Sequence, residues 1–268
     1  MPDQPHASAE LRQATLELNV SGRQLQLEMA IPVGPVRPMV MLPILQALAN
    51  TFVGAAVQNV EDDGLSISCT KGCGACCRQL VPIAEVEAHR LRDVVAAMPE
   101  ARRGEVLRRF AEARMQFHDA GLLDQLAAPQ RIAHSDLLKL GLDYFAVGVA
   151  CPFLDEESCS IHPDRPIACR EYLVTSPAAN CAHPTAETVR CVHVAAKVSS
   201  ALPTLGTQQT PWIPLVLALE WADAHADEPA PRPGTEIIRE VFSRITGKDI
   251  PNAPPASGLG MRANDSGP

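Results

Sequence analysis

The sequence predicts an α+β fold, mainly helical, with an N-terminal β-hairpin and a loop-rich metal-binding core built around a cluster of cysteines. Residues 15–31 alternate apolar and polar on either side of Ser21-Gly22, the period of a half-buried strand pair. Five later stretches carry apolar residues at helical spacing. The nine cysteines fall into two groups, Cys69, Cys73, Cys76 and Cys77 first, then Cys151, Cys159, Cys169, Cys181 and Cys191. At 268 residues the chain can bury a core without disulfide staples.

Ser21-Gly22 suits a two-residue hairpin turn, which sets Leu18 opposite Leu25 and Leu16 opposite Leu27 on one face. A connection containing Pro32, Pro35, Pro38 and Pro43 follows, then a stretch with no charge between Arg37 and Glu61. Gln46, Asn50, Gln58 and Asn59 interrupt that stretch, while Leu42, Leu45, Leu48, Phe52, Val53 and Ala56 recur at helical spacing. It therefore reads as a core-facing amphipathic helix and not as a membrane span. The first cysteine group sits in a loop where Gly74 supplies the backbone freedom of a tight turn.

Pro82 is expected to open the next helix, with Ile83, Val86, Arg90, Leu91, Val94 and Met98 on one face. Val106, Leu107, Phe110, Ala113 and Phe117 mark a second helix, and the two form a helical hairpin. Its basic residues, Arg108 and Arg109 among them, read as a solvated face. From Cys151 to Cys191 short apolar runs are broken by Pro152, Pro163, Pro166, Pro177 and Pro184. A loop of that length needs something to order it. Residues 212–225 and 235–246 read as helices joined by a proline-rich linker from Asp227 to Gly234. Four regions result: 1–64, the hairpin and first helix; 65–200, the cysteine-rich domain; 201–250, the closing helices; and 251–268, a tail of disordered composition.

The composition is that of a soluble globular chain, 46% hydrophobic and 20% charged, with a formal net charge of -8. That charge offers no general attraction to nucleic acid or to an anionic membrane. The opening MPDQPHASAE has no basic stretch leading into an apolar one, so a cytoplasmic, reducing location is expected. There, clustered cysteines hold metals or do chemistry more often than they form disulfides.

Thiolates are soft ligands that select zinc, copper(I) or iron–sulfur clusters and reject hard cations. The C-x2-C spacing of Cys73 and Cys76 lets both reach one centre across a tight turn. Neighbouring side chains diverge, so the adjacent pair Cys76-Cys77 calls for two nearby centres or one multinuclear cluster. Other cysteine chemistries fit less well. A thioredoxin-type pair would stand alone, whereas Cys73 and Cys76 are crowded by Cys69 and Cys77, and haem attachment needs a histidine where Cys77 stands. Cys191 and His193 alternate with Val192 and Val194, which reads as a buried, inert Cys191 in strand-like text.

Lys71-Gly-Cys-Gly-Ala-Cys-Cys-Arg78, then Cys151-Pro-Phe-Leu154, then the run from Cys159-Ser-Ile-His162 through Cys169-Arg-Glu-Tyr172, resembles the YkgJ-type cysteine-cluster family. That family is described as zinc- or iron-chelating, and flagellin lysine-N-methylases carry a similar cluster. The resemblance covers residues 65–185 and implies that Cys69, Cys73, Cys76, Cys77, Cys151, Cys159 and Cys169 are metal ligands, with Cys181 the eighth. Two departures stand out: three residues between Cys69 and Cys73 where the family often has two, and His162 where it often has tyrosine. The second opens an accessory role for His162. Arg78, Arg165 and Arg170 flank the cysteines, placed to offset thiolate charge.

The function expected is metal binding through about eight cysteine thiolates, the cofactor being zinc or iron, in the latter case as an ion or an iron–sulfur cluster. Two alternatives stand beside it: a protein lysine-N-methylase-like enzyme, and a structural zinc module for a protein partner. Gly72-Cys-Gly74 lies inside the cysteine cluster and lacks the downstream glycine of a nucleotide-binding loop, so a methyl donor has no identified pocket.

Overall fold

The computed structural model describes residues 10–207, 210–226 and 229–250. The tail from 251 and residues 227–228 of the linker lie outside the described residues. About 53% of the described chain is helical, 3-10 turns included, and every sheet pairing among the described residues is two-stranded.

β1 (Leu11–Val20) and β2 (Arg23–Pro32) form the hairpin in the expected register, Leu16 opposite Leu27 and Leu18 opposite Leu25. Ser21 and Gly22 both take positive φ, 50° and 82°, the backbone of a turn whose twist matches that of the strands. The Asn19 side chain accepts the Gly22 N–H at 3.1 Å. β2 buries Leu27, Met29 and Ile31, while β1 contributes only partly buried residues.

The uncharged stretch is α1 (Leu42–Asp62), which buries Leu42, Leu45, Leu48, Ala49, Phe52, Ala55 and Ala56. Pro38–Asp62 is long and apolar enough to cross a membrane by length and composition alone. Its apolar face packs instead with β2, with residues 192–205 and with the last helix as one core.

β3 (Pro35–Val36) pairs with β8 (Arg232–Pro233), and β4 (Pro82–Ile83) pairs with β7 (Ile213–Pro214). β4 corrects the reading of Pro82 as a helix start. Ile83 is drawn into pairing with Ile213, and α2 (Glu85–Ala96) begins two residues later. α3 (Glu100–Asp119) follows and packs on α2 as the helical hairpin anticipated, although α2 lies more extensively against α7 (Ala218–Ala224). The basic residues of α3 are engaged with carboxylates: Arg102 with Glu105, Arg108 with Glu112 and Arg114 with Glu220.

After α4 (Leu123–Ala127) comes α5 (Leu137–Val147), a helix the sequence reading passed over. Its Tyr144 stacks on Phe117 of α3 with ring centroids 4.3 Å apart. β5 (Leu154–Asp155) and β6 (Ser158–Cys159) make a small hairpin, and α6 (Ile167–Arg170) is a single turn. Residues 212–225 are not one helix. Pro214 in β7 lacks an amide proton, and a 3-10 turn at Leu215–Leu217 precedes α7. α8 (Gly234–Thr246) matches the last predicted helix and ends at Gly247 with φ 66°.

Candidate metal centre

The first wall of the site is the Cys69–Cys77 loop. The Cys73 N–H bonds the Thr70 carbonyl at 3.1 Å, and the 3-10 turn Ala75–Arg78 follows, closed by Cys77 N–H to the Gly74 carbonyl at 2.9 Å. Gly72, not Gly74, carries the left-handed backbone, with φ 89°. Gly74 has φ -97°, which any residue adopts. It is glycine for a different reason, because a Cβ there would lie 2.8 Å from Leu154 Cδ1 and 3.1 Å from Glu157 Cα. The β5–β6 turn presses directly on the cysteine loop.

That turn forms the second wall. Cys151 N–H donates to the Cys77 carbonyl at 2.7 Å, tying the two cysteine groups together through the backbone. Glu156 and Glu157 at the tip take φ 45° and 55°, a conformation that side chains adopt at a cost. Arg78 grips Glu157 in a fork, with nitrogens 3.0 and 2.7 Å from its two oxygens, and also donates to the Gly74 carbonyl at 3.0 Å. On the far side Arg109 of α3 donates to the Leu154 carbonyl at 2.6 Å, and Arg102 lies 3.1 Å from Asp155.

The third wall is α6 with the turn before it. Buried Glu87 of α2 accepts the N–H of Ile167 at 2.8 Å and of Ala84 at 3.0 Å, thereby fixing the start of both helices. Burial, only partly offset by those two bonds, pushes its carboxyl up to about 7. Arg170 donates to the Arg165 carbonyl at 3.0 Å, to Asn50 of α1 at 3.3 Å and to the Pro163 carbonyl. Glu171 is turned away from it and accepts the Val198 N–H at 2.7 Å.

Between these walls lies a cavity of about 810 Å³. Cys69, Cys73, Cys76, Cys77, Cys151, Cys159, Cys169 and Cys181 all line it, as do His162, Arg165 and Tyr172. Apolar residues, Phe153, Ile161 and Leu215 among them, complete the surface. The thiols stand along the wall: among the described residues no three cysteine, histidine or carboxylate side chains already converge as a closed metal site.

Cys76 is the meeting point. Its thiol is raised first by the hydrogen bond it donates to its neighbour Cys77 and then by burial. It adds to the upward push on Cys69, Cys151, Cys159, Cys169 and Cys181. For all five, burial is the main cause, and Cys151 is lifted to about 12. Clustered buried thiols that disfavour ionisation in this way need a cation to become thiolates together.

Residues 68–192 match a family model named CxxCxxCC and described as "Putative zinc- or iron-chelating domain". This segment is similar to that family. Comparison with curated proteins and with solved structures gives no match. The CxxCxxCC segment spans every cysteine in the chain. Its name prints two residues between the first two cysteines, whereas this chain has Thr70, Lys71 and Gly72 there. The left-handed Gly72 takes up the extra residue within a turn.

Within the CxxCxxCC segment one expectation is corrected. Cys191 is exposed, not buried. The alternation has the period of a strand, but it sends Val192 and Val194 into the core and Cys191 and His193 outward. Cys191 bridges to Val174 and does not line the cavity, although its thiol meets the Tyr172 hydroxyl, which is pushed up to about 12, mainly by burial. The buried carboxylates Glu87 and Glu171 and the clamps at Asp155 and Glu157 were not anticipated. Charged residues spread over several segments carry no local signal of what they will cap.

Proposed function

We propose that the chain holds zinc or iron, the latter as an ion or an iron–sulfur cluster, through the thiolates of Cys69, Cys73, Cys76, Cys77, Cys151, Cys159, Cys169 and Cys181. The observation that carries this reading is that all eight line one cavity although they come from distant parts of the chain. The donor set fits such a group, since sulfur ligands suit zinc and iron–sulfur centres. A bound zinc would supply folding order, and an iron–sulfur cluster would supply one-electron transfer. The chain's own part is to bring three walls together, to keep the thiols partly shielded from water, and to hold neutral His162 at the rim. The imidazole pKa of His162 is lowered first by Arg165 and then by burial, which keeps a ring nitrogen free to accept or to ligate.

Eight sulfurs shared among one or two centres leave no open position for a substrate water, which favours electron transfer or structural roles over Lewis-acid catalysis. A reducing, cytoplasmic location keeps the thiols available. The test is anaerobic purification, followed by an absorption spectrum and measurement of iron, zinc and acid-labile sulfide per chain. Metal is expected, and it should fall sharply in Cys76→Ser. A brown protein with matched iron and sulfide selects the cluster, and a colourless one with zinc selects the structural ion. A folded chain that takes up neither metal on reconstitution overturns the reading.

A further inference from the structure

The three arginines beside the cysteines differ in what already occupies their guanidinium groups. Arg78 is spent on Glu157 and the Gly74 carbonyl. Arg170 is spent on two carbonyls and Asn50. Arg165 is different: its Nε is buried with no hydrogen-bond partner, and its side chain lines the cavity. No carboxylate pairs with it among the described residues, and adjacent Asp164 is engaged by Arg90 at 2.7 Å. A buried guanidinium nitrogen left without an acceptor carries a desolvation cost that a facing acceptor relieves, an anion most of all. The candidate anions are the thiols in front of it.

We propose that Arg165 is a fixed cation that offsets the negative charge of the metal–thiolate centre from the cavity wall. The inference rests on the reading that the cysteines hold metal. A dication bound by four thiolates is left with net negative charge, and a cation beside it stabilises the loaded state and favours thiolate over thiol. The arrangement also divides labour between two arginines. Arg170, anchored to Asn50 of α1, grips the backbone carbonyl of Arg165 and so fixes the place from which the Arg165 side chain reaches the cavity. Arg165 is thus a positioning residue that works through charge, and the guanidinium contributes no ligand atom.

The test uses the full chain, handled anaerobically and loaded with Zn2+, in competition with a chromophoric chelator. Arg165→Gln should hold Zn2+ about tenfold or more weakly than the parent chain, since an opposite charge within contact range shifts a partner's ionisation by one unit or more. Arg165→Lys should recover most of that loss, because it restores the charge. Arg78→Gln should bind nearly as the parent does. If the Gln variant does not fold, Arg165→Met keeps the length and apolar stem without the charge and takes its place. Equal affinity in the uncharged variant overturns the inference, as does a Lys variant as weak as the uncharged one, which would make shape the cause. A parent chain that takes up no metal brings down the underlying reading, and this inference with it.

Discussion

Around α1, stability comes from apolar faces that meet: Leu45, Leu48 and Phe52 pack with Leu27, Met29 and Ile31 of β2 and with Ile237, Val241 and Phe242 of α8. Around the cavity the construction differs. The turn Ala75–Arg78 buries no residue, and the walls are joined by polar contacts, Cys151 to Cys77, the Arg78–Glu157 fork and Arg109 to Leu154. The α1 side is apolar throughout, whereas the cavity side sets thiols and polar clamps around a space and is anchored to a second core by Phe153 and Ile161. The hairpin, α1 and α8 should therefore hold without metal, while the cavity walls gain order when it binds.

The strongest attack on the α1 side is Phe52→Ala. Phe52 is 2% exposed in the middle of the core, and truncation there is expected to cost about 3–5 kcal/mol. The loss should be the same in metal-loaded and metal-free chain, read by urea unfolding of each. A loss confined to the loaded chain would dissolve the distinction between the two regions.

Gly74→Ala makes the matching attack on the cavity side. The added methyl would meet Leu154 Cδ1 at 2.8 Å and the Glu157 backbone at 3.1 Å, so the β5–β6 turn has to move off the cysteine loop. A cost of about 1–3 kcal/mol is expected for such overpacking, with weaker metal retention against a chelator. Hydrogen exchange should accelerate at residues 73–79 and 151–159 and stay unchanged along α1. Unchanged metal retention would mean that the two walls need not touch for the site to work.

What the sequence made legible follows the same division. Where one period runs through a whole element, as in β1–β2 or α1, the buried residues and even the register could be read directly. On the cavity side the cysteines were legible as chemistry but their frame was not. Two-residue pairings such as Pro82 with Pro214 join segments remote in sequence and leave no periodic trace. Gly74 was read as a flexible turn residue because crowding by Glu157 exists only once the chain has folded. α5 was passed over although Leu140 and Tyr144 lie one turn apart on its buried face and Gly148 ends it with φ 74°.

Glu87 joins the two regions, since it lies on α2 and holds the start of α6 beside Cys169. Its folded carboxyl titrates at about 7, against 4.5 for the ordinary group. The folded chain thus keeps a proton that the unfolded chain has released between those values, and stability should decline as pH rises through that window. Glu87→Gln should flatten this part of the profile, measured by urea unfolding of metal-free protein from pH 4 to 8. It should also cost on the order of 1 kcal/mol at the acid end, because the amide nitrogen cannot accept either backbone N–H. An unchanged slope would place the pH response elsewhere.

The smallest effect is expected at Arg78, and its size bears on how charge is used around the thiols. The Arg78–Glu157 pair is well formed, but both side chains are open to water, 32% and 49% exposed. Exposed pairs contribute about 0.2–1 kcal/mol even when the geometry is good. Arg78→Gln should therefore lower stability by no more than that and lessen its dependence on salt, with the metal content of the purified chain unchanged. The guanidinium is committed chiefly to Glu157, with a lesser pull from Cys77, so its loss mainly frees a carboxylate at the rim. A marked loss of metal in Arg78→Gln would mean that the clamp on the β5–β6 turn, and not cavity charge alone, governs retention. The cavity would then depend on its wall as strictly as the α1 core depends on its packing.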